Sequence, residues 1–269
     1  MVNPFTSIKV LLDYTTGHKI QWSLTPFFNA PAPYSFKVLA FQDVGFKEPA
    51  YIIDAGQNFY AIDDKNLRQN VLESFMYKVE LTDGNGSKYL SSFTSWNPNL
   101  PVVRHRYLNA SEIVRKEYVR MDHAVGYYGY LLKRRYYSPQ ALNEVDPVTG
   151  EPILDSSQGS IGVGQKDGYY EPVLFKYSLE GRDTSLSLQQ DGTGTSYQEV
   201  LSLRTVGFPF FESHDVIVTN EGKRYSVTKS DQTTYPGTDI TILQILTVQI
   251  IAPTDSVYKI DVPELPEYS

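Results

Sequence analysis

The side chains able to do covalent or acid–base work are few and scattered. The chain has no cysteine, which excludes thiolate nucleophiles, disulfides and thiolate zinc sites together. Its four histidines, His18, His105, His123 and His214, fall at no spacing that aims two rings from one helix face or one strand face, so no metal site is expected. Asp63-Asp64 offers a carboxylate pair, but neighbours on an extended chain point to opposite faces, and the pair reads as a solvated turn. Ser213-His214-Asp215 holds the residue types of a hydrolytic triad. Contiguous residues do not make triad geometry, so a turn entering a strand is expected there. The run Gly159-Ser160-Ile161-Gly162-Val163-Gly164 lacks the spacing and the strand-then-helix setting of a dinucleotide fingerprint and reads as an adaptable loop. No nucleophile elbow, phosphate loop or His-Glu-x-x-His motif occurs. With no acid, base and nucleophile set to assemble, the chain reads as a non-enzyme that requires no cofactor.

Tyrosine is the unusual signal. There are 21, with doublets at Tyr127-Tyr128, Tyr136-Tyr137 and Tyr169-Tyr170. A tyrosine gives large contact area at small entropic cost and keeps a polar tip, which suits protein interfaces, although it suits strands as well. The doublets bracket the basic run Lys133-Arg134-Arg135, so the candidate interface is Tyr127, Tyr128, Lys133, Arg134, Arg135, Tyr136, Tyr137, Tyr169 and Tyr170. Stacking on sugars is a further use of surface tyrosines and of Trp96. The net charge of −7 argues against general nucleic-acid binding, yet Pro101 to Tyr137 holds eight Lys and Arg against three Asp and Glu. That local +5 leaves −12 for the rest, an asymmetry able to pair subunits head to tail, or simply a solvated helix face.

Elements must hold these residues in place. A length of 269 residues, 41% apolar and 20% charged, predicts a folded chain of two domains. The first hundred residues alternate with period two between turns, as an antiparallel sandwich does. Ser7–Thr15 and His18–Leu24 flank Thr16-Gly17, Phe36, Val38 and Ala40 share a face, and Met76 to Ser95 reads as a hairpin about Asp83-Gly84-Asn85-Gly86. One helix is predicted from a capping box at Asn109 and Glu112 to about Val125, with Val114, Tyr118, Met121 and Val125 on one face. Ser138 to Gly168 has little periodicity and five glycines from Gly150 through Gly168, and reads as an arm that another subunit covers. A second β unit follows. Val216–Thr219 and Arg224–Ser230 flank a turn at Gly222, Ile240 to Ile250 forms a long strand interrupted only by Gln244, Val257–Val262 closes the unit, and the end from Pro263 is expected to be mobile. The start of the chain carries no basic-then-apolar leader and no segment approaches the ~20 apolar residues that span a bilayer, so assembly in the cytoplasm without membrane contact is expected.

Ile20-Gln21-Trp22, Tyr34-Ser35-Phe36-Lys37-Val38 and Tyr77-Lys78-Val79-Glu80-Leu81 resemble strands B, C and F of a fibronectin type III domain. Farther on, Glu112 to Arg120, Gly129 to Arg135, Asp146-Pro147-Val148-Thr149-Gly150-Glu151 and Gly168-Tyr169-Tyr170 resemble structural proteins of tailed bacteriophages. Relatives of that kind carry two Cys-x-x-Cys pairs around the Asp-Pro-x-Thr-Gly-Glu turn. Ala141, Glu144, Ser157 and Ser160 stand near those positions here, so the metal knuckle is not expected. Asp215 to Val218, Gly222 to Val227 and Val257-Tyr258-Lys259-Ile260 resemble the β-barrel of stopper proteins in phage necks. The resemblance spans roughly 104 to 262. Taken with the alternation and fibronectin likeness of the first hundred residues, the reading is a mainly β chain: an immunoglobulin/fibronectin-like sandwich (1–100), a basic helix and connector (101–137), an arm (138–170) and a β-barrel-like domain (171–269). The resemblance further implies a virion subunit forming a homo-oligomeric ring in the neck, with the portal or adaptor and tail proteins as partners and DNA passing nearby without specific binding. A baseplate or tail station that holds fibres and a carbohydrate-binding adhesion module are the alternatives.

Overall fold

The computed structural model describes residues 3–13, 17–25, 28, 30–31, 33–42, 45, 47–66, 76–94, 101–134, 169–180, 185–191, 194–237 and 240–266. Period-two alternation in the first hundred residues yields, among the described residues, seven strands in two facing sheets. β1 (Phe5–Asp13), β2 (Gly17–Leu24) and β5 (Tyr60–Asp63) form a three-stranded antiparallel sheet with β2 in the middle. β3 (Ser35–Phe41), β4 (Tyr51–Gly56), β6 (Met76–Thr82) and β7 (Lys88–Leu90) form the other, in the order β4-β3-β6-β7. The segments matched to fibronectin strands B, C and F are β2, β3 and β6. Ile20, Trp22 and Leu24 meet Phe36, Val38, Tyr77 and Val79 across the core, which is how two alternating sheets bury one face each.

The second β unit is a closed six-stranded barrel, so the mainly β fold of sandwich and barrel is as expected. β8 (Tyr127–Leu132), β9 (Val173–Leu179), β11 (Gly194–Val206), β14 (Thr241–Ile250), β13 (Arg224–Thr234) and β12 (Val216–Thr219) follow one another around the wall, and β12 pairs back to β8. β9 closes the ring by pairing with β8 on one side and with β11 on the other, through Tyr177↔Thr205 and Leu179↔Leu203. β10 (Ser185–Asp191) makes a hairpin with the far end of β11. Gly222, at φ 73°, provides the left-handed residue of the β12–β13 turn. Leu131, Phe175, Leu203, Ile217, Val227 and Leu246 fill the interior; a barrel this small is packed with side chains rather than hollow.

Several expectations are corrected. The barrel takes a strand, β8, from the stretch expected to be connector. Val257–Val262 is not a closing strand. It begins with a 3₁₀ turn (Ser256–Lys259) whose first amides are capped by Asp255, and Val257 and Leu265 pack on the outside of the barrel against Tyr130, Leu132, Val216 and Val218. The end of the chain through residue 266 is thus laid on the wall rather than loose. The helix α1 (Pro101–Arg120) starts eight residues before Asn109 and continues through a π-helical turn, Met121–Val125. Proline suits the first helical position because the missing N–H has no partner there anyway, whereas Asn109 lies inside the helix and donates its amide to the Tyr235 hydroxyl (3.2 Å). Val114 and Met121 seal α1 onto Val206, Ile240 and Ile242. Val125, expected on the same face, is instead exposed, because the π turn breaks the 3.6-residue phase.

Sandwich and barrel share an interface. The outward residues of β2 do not face water: Gln21 exchanges two hydrogen bonds with the backbone of Phe210 (2.9 Å each) and the Lys19 ammonium lies 4.1 Å from the Phe208 ring. Leu11 and Phe59 enter the barrel's own core. The segment 206–211 that receives them is held by buried Gln244, whose amide donates to the carbonyls of Val206, Gly207 and Pro209 and accepts from the Phe211 amide (2.8–3.1 Å).

Candidate functional site

The candidate interface residues fall into two groups at opposite ends of β8, roughly 20 Å apart at the rise of a strand. At the end next to α1, Tyr127 is exposed with its ring centroid 5.8 Å from that of Tyr177. Tyr128 is half-buried and faces the Lys176 ammonium at 4.6 Å. Lys176 also pairs with Asp122, and burial lowers its pKa. Val125 and Leu179 add exposed apolar surface at 45% and 51%.

At the other end β8 and β9 meet the base of the arm. Arg134 bridges to Tyr169, and the Tyr170 amide donates to the Lys133 carbonyl (2.9 Å). The Tyr169-Tyr170 doublet splits as strand neighbours must: Tyr169 packs on the outer cluster with Tyr130 and Leu132, and Tyr170 turns inward onto Phe59, 4.9 Å between centroids. Both tyrosines therefore belong to the barrel wall and not to the arm expected to end at residue 170. Burial raises the pKa of the Tyr169 phenol. Arg135, Tyr136, Tyr137 and residues 138–168 lie outside the described residues, as does Trp96.

Lys133 does not stand at an outer surface. Its side chain is 2% exposed, and its ammonium lies 2.9 Å from both Asp215 Oδ2 and Glu212 Oε2. The Arg134 and Glu212 amides donate to the two oxygens of Asp215 (3.1 and 2.8 Å), and Ser23 Oγ on β2 donates to Glu212 Oε1 (2.7 Å). The reason is phase: Lys133 follows Leu131 by two residues, and Leu131 points into the barrel. That phase is a signal the sequence carried, outweighed by two arginines next in line. The local positive charge is spent elsewhere too. Arg115 and Arg120 pair with Glu112 and Glu117 along α1, and Arg106 donates to the Gly237 carbonyl.

Asp63-Asp64 divides as alternation requires, but Asp63 is not solvated. It is fully buried, and its carboxylate accepts from the Tyr77 hydroxyl (2.5 Å), the Tyr51 hydroxyl (2.6 Å) and the Lys65 amide (3.1 Å). His18 Nδ1 lies 3.0 Å from the Tyr77 oxygen. Since that hydroxyl gives its proton to Asp63, the imidazole donates Nδ1–H. Burial lowers the His18 pKa to about 4 and raises that of Tyr51. His214 adopts φ 71° in the turn that delivers Asp215 to β12, as expected of a strand-entry turn. Among the described residues no three His, Asp or Glu side chains gather as a metal site. No helix of the described residues is long and apolar enough to cross a membrane.

Set against known proteins, the sequence matches no protein-family model and no curated protein.

Proposed function

We propose that the chain is a non-enzymatic structural subunit of a phage virion, assembling into a homo-oligomeric ring in the neck between portal and tail. The observation that supports this best is the β8–β9 hairpin. Its strands pair from Tyr127↔Tyr177 to Leu131↔Val173, and the chain enters and leaves residues 135–168 beside the clamp of Arg134, Tyr169 and Tyr170. A connection of that length between paired strands is far beyond the 2–5 residues of an ordinary hairpin, and such lengths are kept for function. A ring also needs two different patches on one chain, because head-to-tail contacts are heterologous. The ends of β8 provide them: an apolar rim at Tyr127, Val125 and Leu179, and the clamp at the opposite end. The portal or adaptor and tail proteins are the partners of such a ring, and DNA passes nearby without specific binding.

Light scattering on the purified chain tests this. A discrete multiple of the subunit mass is expected, reverting to monomer when residues 138–168 are deleted while the sandwich and barrel keep their cooperative unfolding. A monomer at every concentration, or assembly that survives the deletion, refutes the ring. A baseplate or tail station is the second reading, supported by Ile52 (55%) and Leu90 (50%), exposed on the four-stranded sheet where a fibre would dock.

A further inference from the structure

Lys133 stands one residue past β8, and Asp215 one residue before β12. Because Leu132 pairs with Val216 in antiparallel register, Lys133 and Asp215 are the next cross-strand pair. Two backbone amides fix the Asp215 carboxyl group, and its Oδ2 lies 2.9 Å from Lys133 Nζ. Glu212 touches the same Nζ at 2.9 Å and is itself held by Ser23. The Lys133 and Asp215 side chains are 2% and 1% exposed, whereas Glu212 keeps 29% of its side chain at the surface.

A primary amine and a carboxyl group are thus fixed in contact, shielded from water, with a second carboxylate on the amine. An ion pair alone does not need the third group. We infer that Lys133 and Asp215 condense to an intramolecular isopeptide bond, with Glu212 as the catalytic proton-transfer group. In the reacting state one proton has passed from the ammonium to Asp215, leaving an amine and a carboxylic acid. Nζ attacks Cγ and the Nζ–Cγ bond forms. The Glu212 carboxylate takes a proton from Nζ and hands it to the departing hydroxyl, the Cγ–O bond breaks, and one water leaves past the exposed side of Glu212. Amine plus acid becomes amide plus water, Glu212 ends as it began, and neither oxidant nor reductant is required.

Several effects favour the step. Holding the reactants in contact removes the translational entropy that makes amide formation slow in solution, and exclusion of water starves the reverse hydrolysis. A low-dielectric site also favours the neutral amine and acid over the separated charges. Burial pushes the Asp215 carboxyl up towards the acid form that reacts. The two carboxylates act the other way on Lys133, holding its ammonium up in spite of burial, and transfer of one proton to Asp215 removes the Asp215 share of that hold. The bond would staple β8 to β12 directly beneath the clamp through which residues 135–168 leave. A pull on that segment would then load an amide instead of strand hydrogen bonds.

Intact-mass spectrometry of the denatured full chain decides the matter. The expected mass is that of the sequence less one water, with proteolysis releasing a branched peptide that joins the Lys133 and Asp215 fragments. The K133R and E212Q chains are expected to keep the full mass. A folded wild-type chain at its full sequence mass would overturn the inference. So would a lost water without the branched peptide, since a cyclic imide at Asp83-Gly84, Asp167-Gly168 or Asp191-Gly192 sheds water as well. An E212Q chain that still forms the branched peptide would remove Glu212 from the reaction. The measurement reads a covalent bond and is independent of whether the chain forms rings.

Discussion

The sandwich and the barrel each bury a carboxylate, and they neutralise it by different means. In the sandwich Asp63 accepts from neutral donors, two phenols and an amide among its described contacts, with His18 behind them. Tyr51 and Tyr77 reach it from β4 and β6, while His18 and Asp63 are register partners on β2 and β5, so the cluster ties one sheet to the other. In the barrel Asp215 meets a cation directly, with Glu212 as a second anion on the same ammonium. A carboxylate held by several neutral donors can lose one and keep the rest. A cation between two anions cannot be halved, because its removal leaves like charges facing each other without compensation.

The sharpest way to break that contrast is to remove the cation. Measured against the uncondensed wild-type chain, Lys133→Met is expected to cost about 3–5 kcal/mol, since it strands buried Asp215 and partly buried Glu212, read as a fall in the urea midpoint at unchanged slope. Adding Asp215→Leu to the same chain is expected to recover much of the loss, because replacing both partners of a buried pair by apolar groups is often near neutral. A loss below about 1 kcal/mol for the single variant would place the triad with surface ion pairs and end the comparison.

Acid separates the two centres by sign. With a folded pKa of about 4 against an ordinary 6.5, His18 is neutral in both states above pH 6.5 and contributes nothing there. Between those values the unfolded chain takes up a proton that the folded chain refuses, so stability falls as pH drops, by roughly 3 kcal/mol in all. Asp215, in a chain where it has not condensed with Lys133, runs the other way. Its raised pKa means that the folded chain binds the proton first, so its contribution grows as pH falls towards its unfolded value. Urea midpoints across this range should fall more steeply with acid in the wild type than in His18→Gln. A slope unchanged in that variant would assign the acid response to other groups.

What could be read in the sequence follows the same division between local and distant causes. Phe36, Val38, Ala40, Tyr77, Val79 and Leu81 declare their strands because a half-buried strand alternates whatever its partner is. The hairpin at Gly222 declares itself because its turn needs a positive φ. Lys19, Gln21 and Ser23 look like a solvent face, and only the barrel that covers them shows otherwise. Gln244 looks like a flaw in an apolar strand and is in fact the anchor of residues 206–211. The burial of Lys133 depends on Asp215, 82 residues away, and that of Asp63 on tyrosines from the opposite sheet. The clamp residues Tyr169 and Tyr170 were legible as unusual, but their split between two packing clusters came only with the β8–β9 register.

The smallest expected effect tests where the triad belongs. Ser23 reaches it from the sandwich, its hydroxyl giving a proton to Glu212 Oε1 at 2.7 Å. Ser23→Ala deletes that bond at a carboxylate whose side chain is 29% exposed, so water can take the donor's place. The cost should therefore be about 1 kcal/mol, well under that of Lys133→Met. Combining Ser23→Ala with Lys133→Met then measures the coupling. If Glu212 is held mainly by the ammonium, losing Lys133 frees its carboxylate to turn towards water, and Ser23→Ala costs less in that background than alone. Equal costs in both backgrounds would mean that the sandwich grips Glu212 regardless of the barrel's charge. The triad would then be part of the junction between the two β units, and its geometry would depend on their remaining docked.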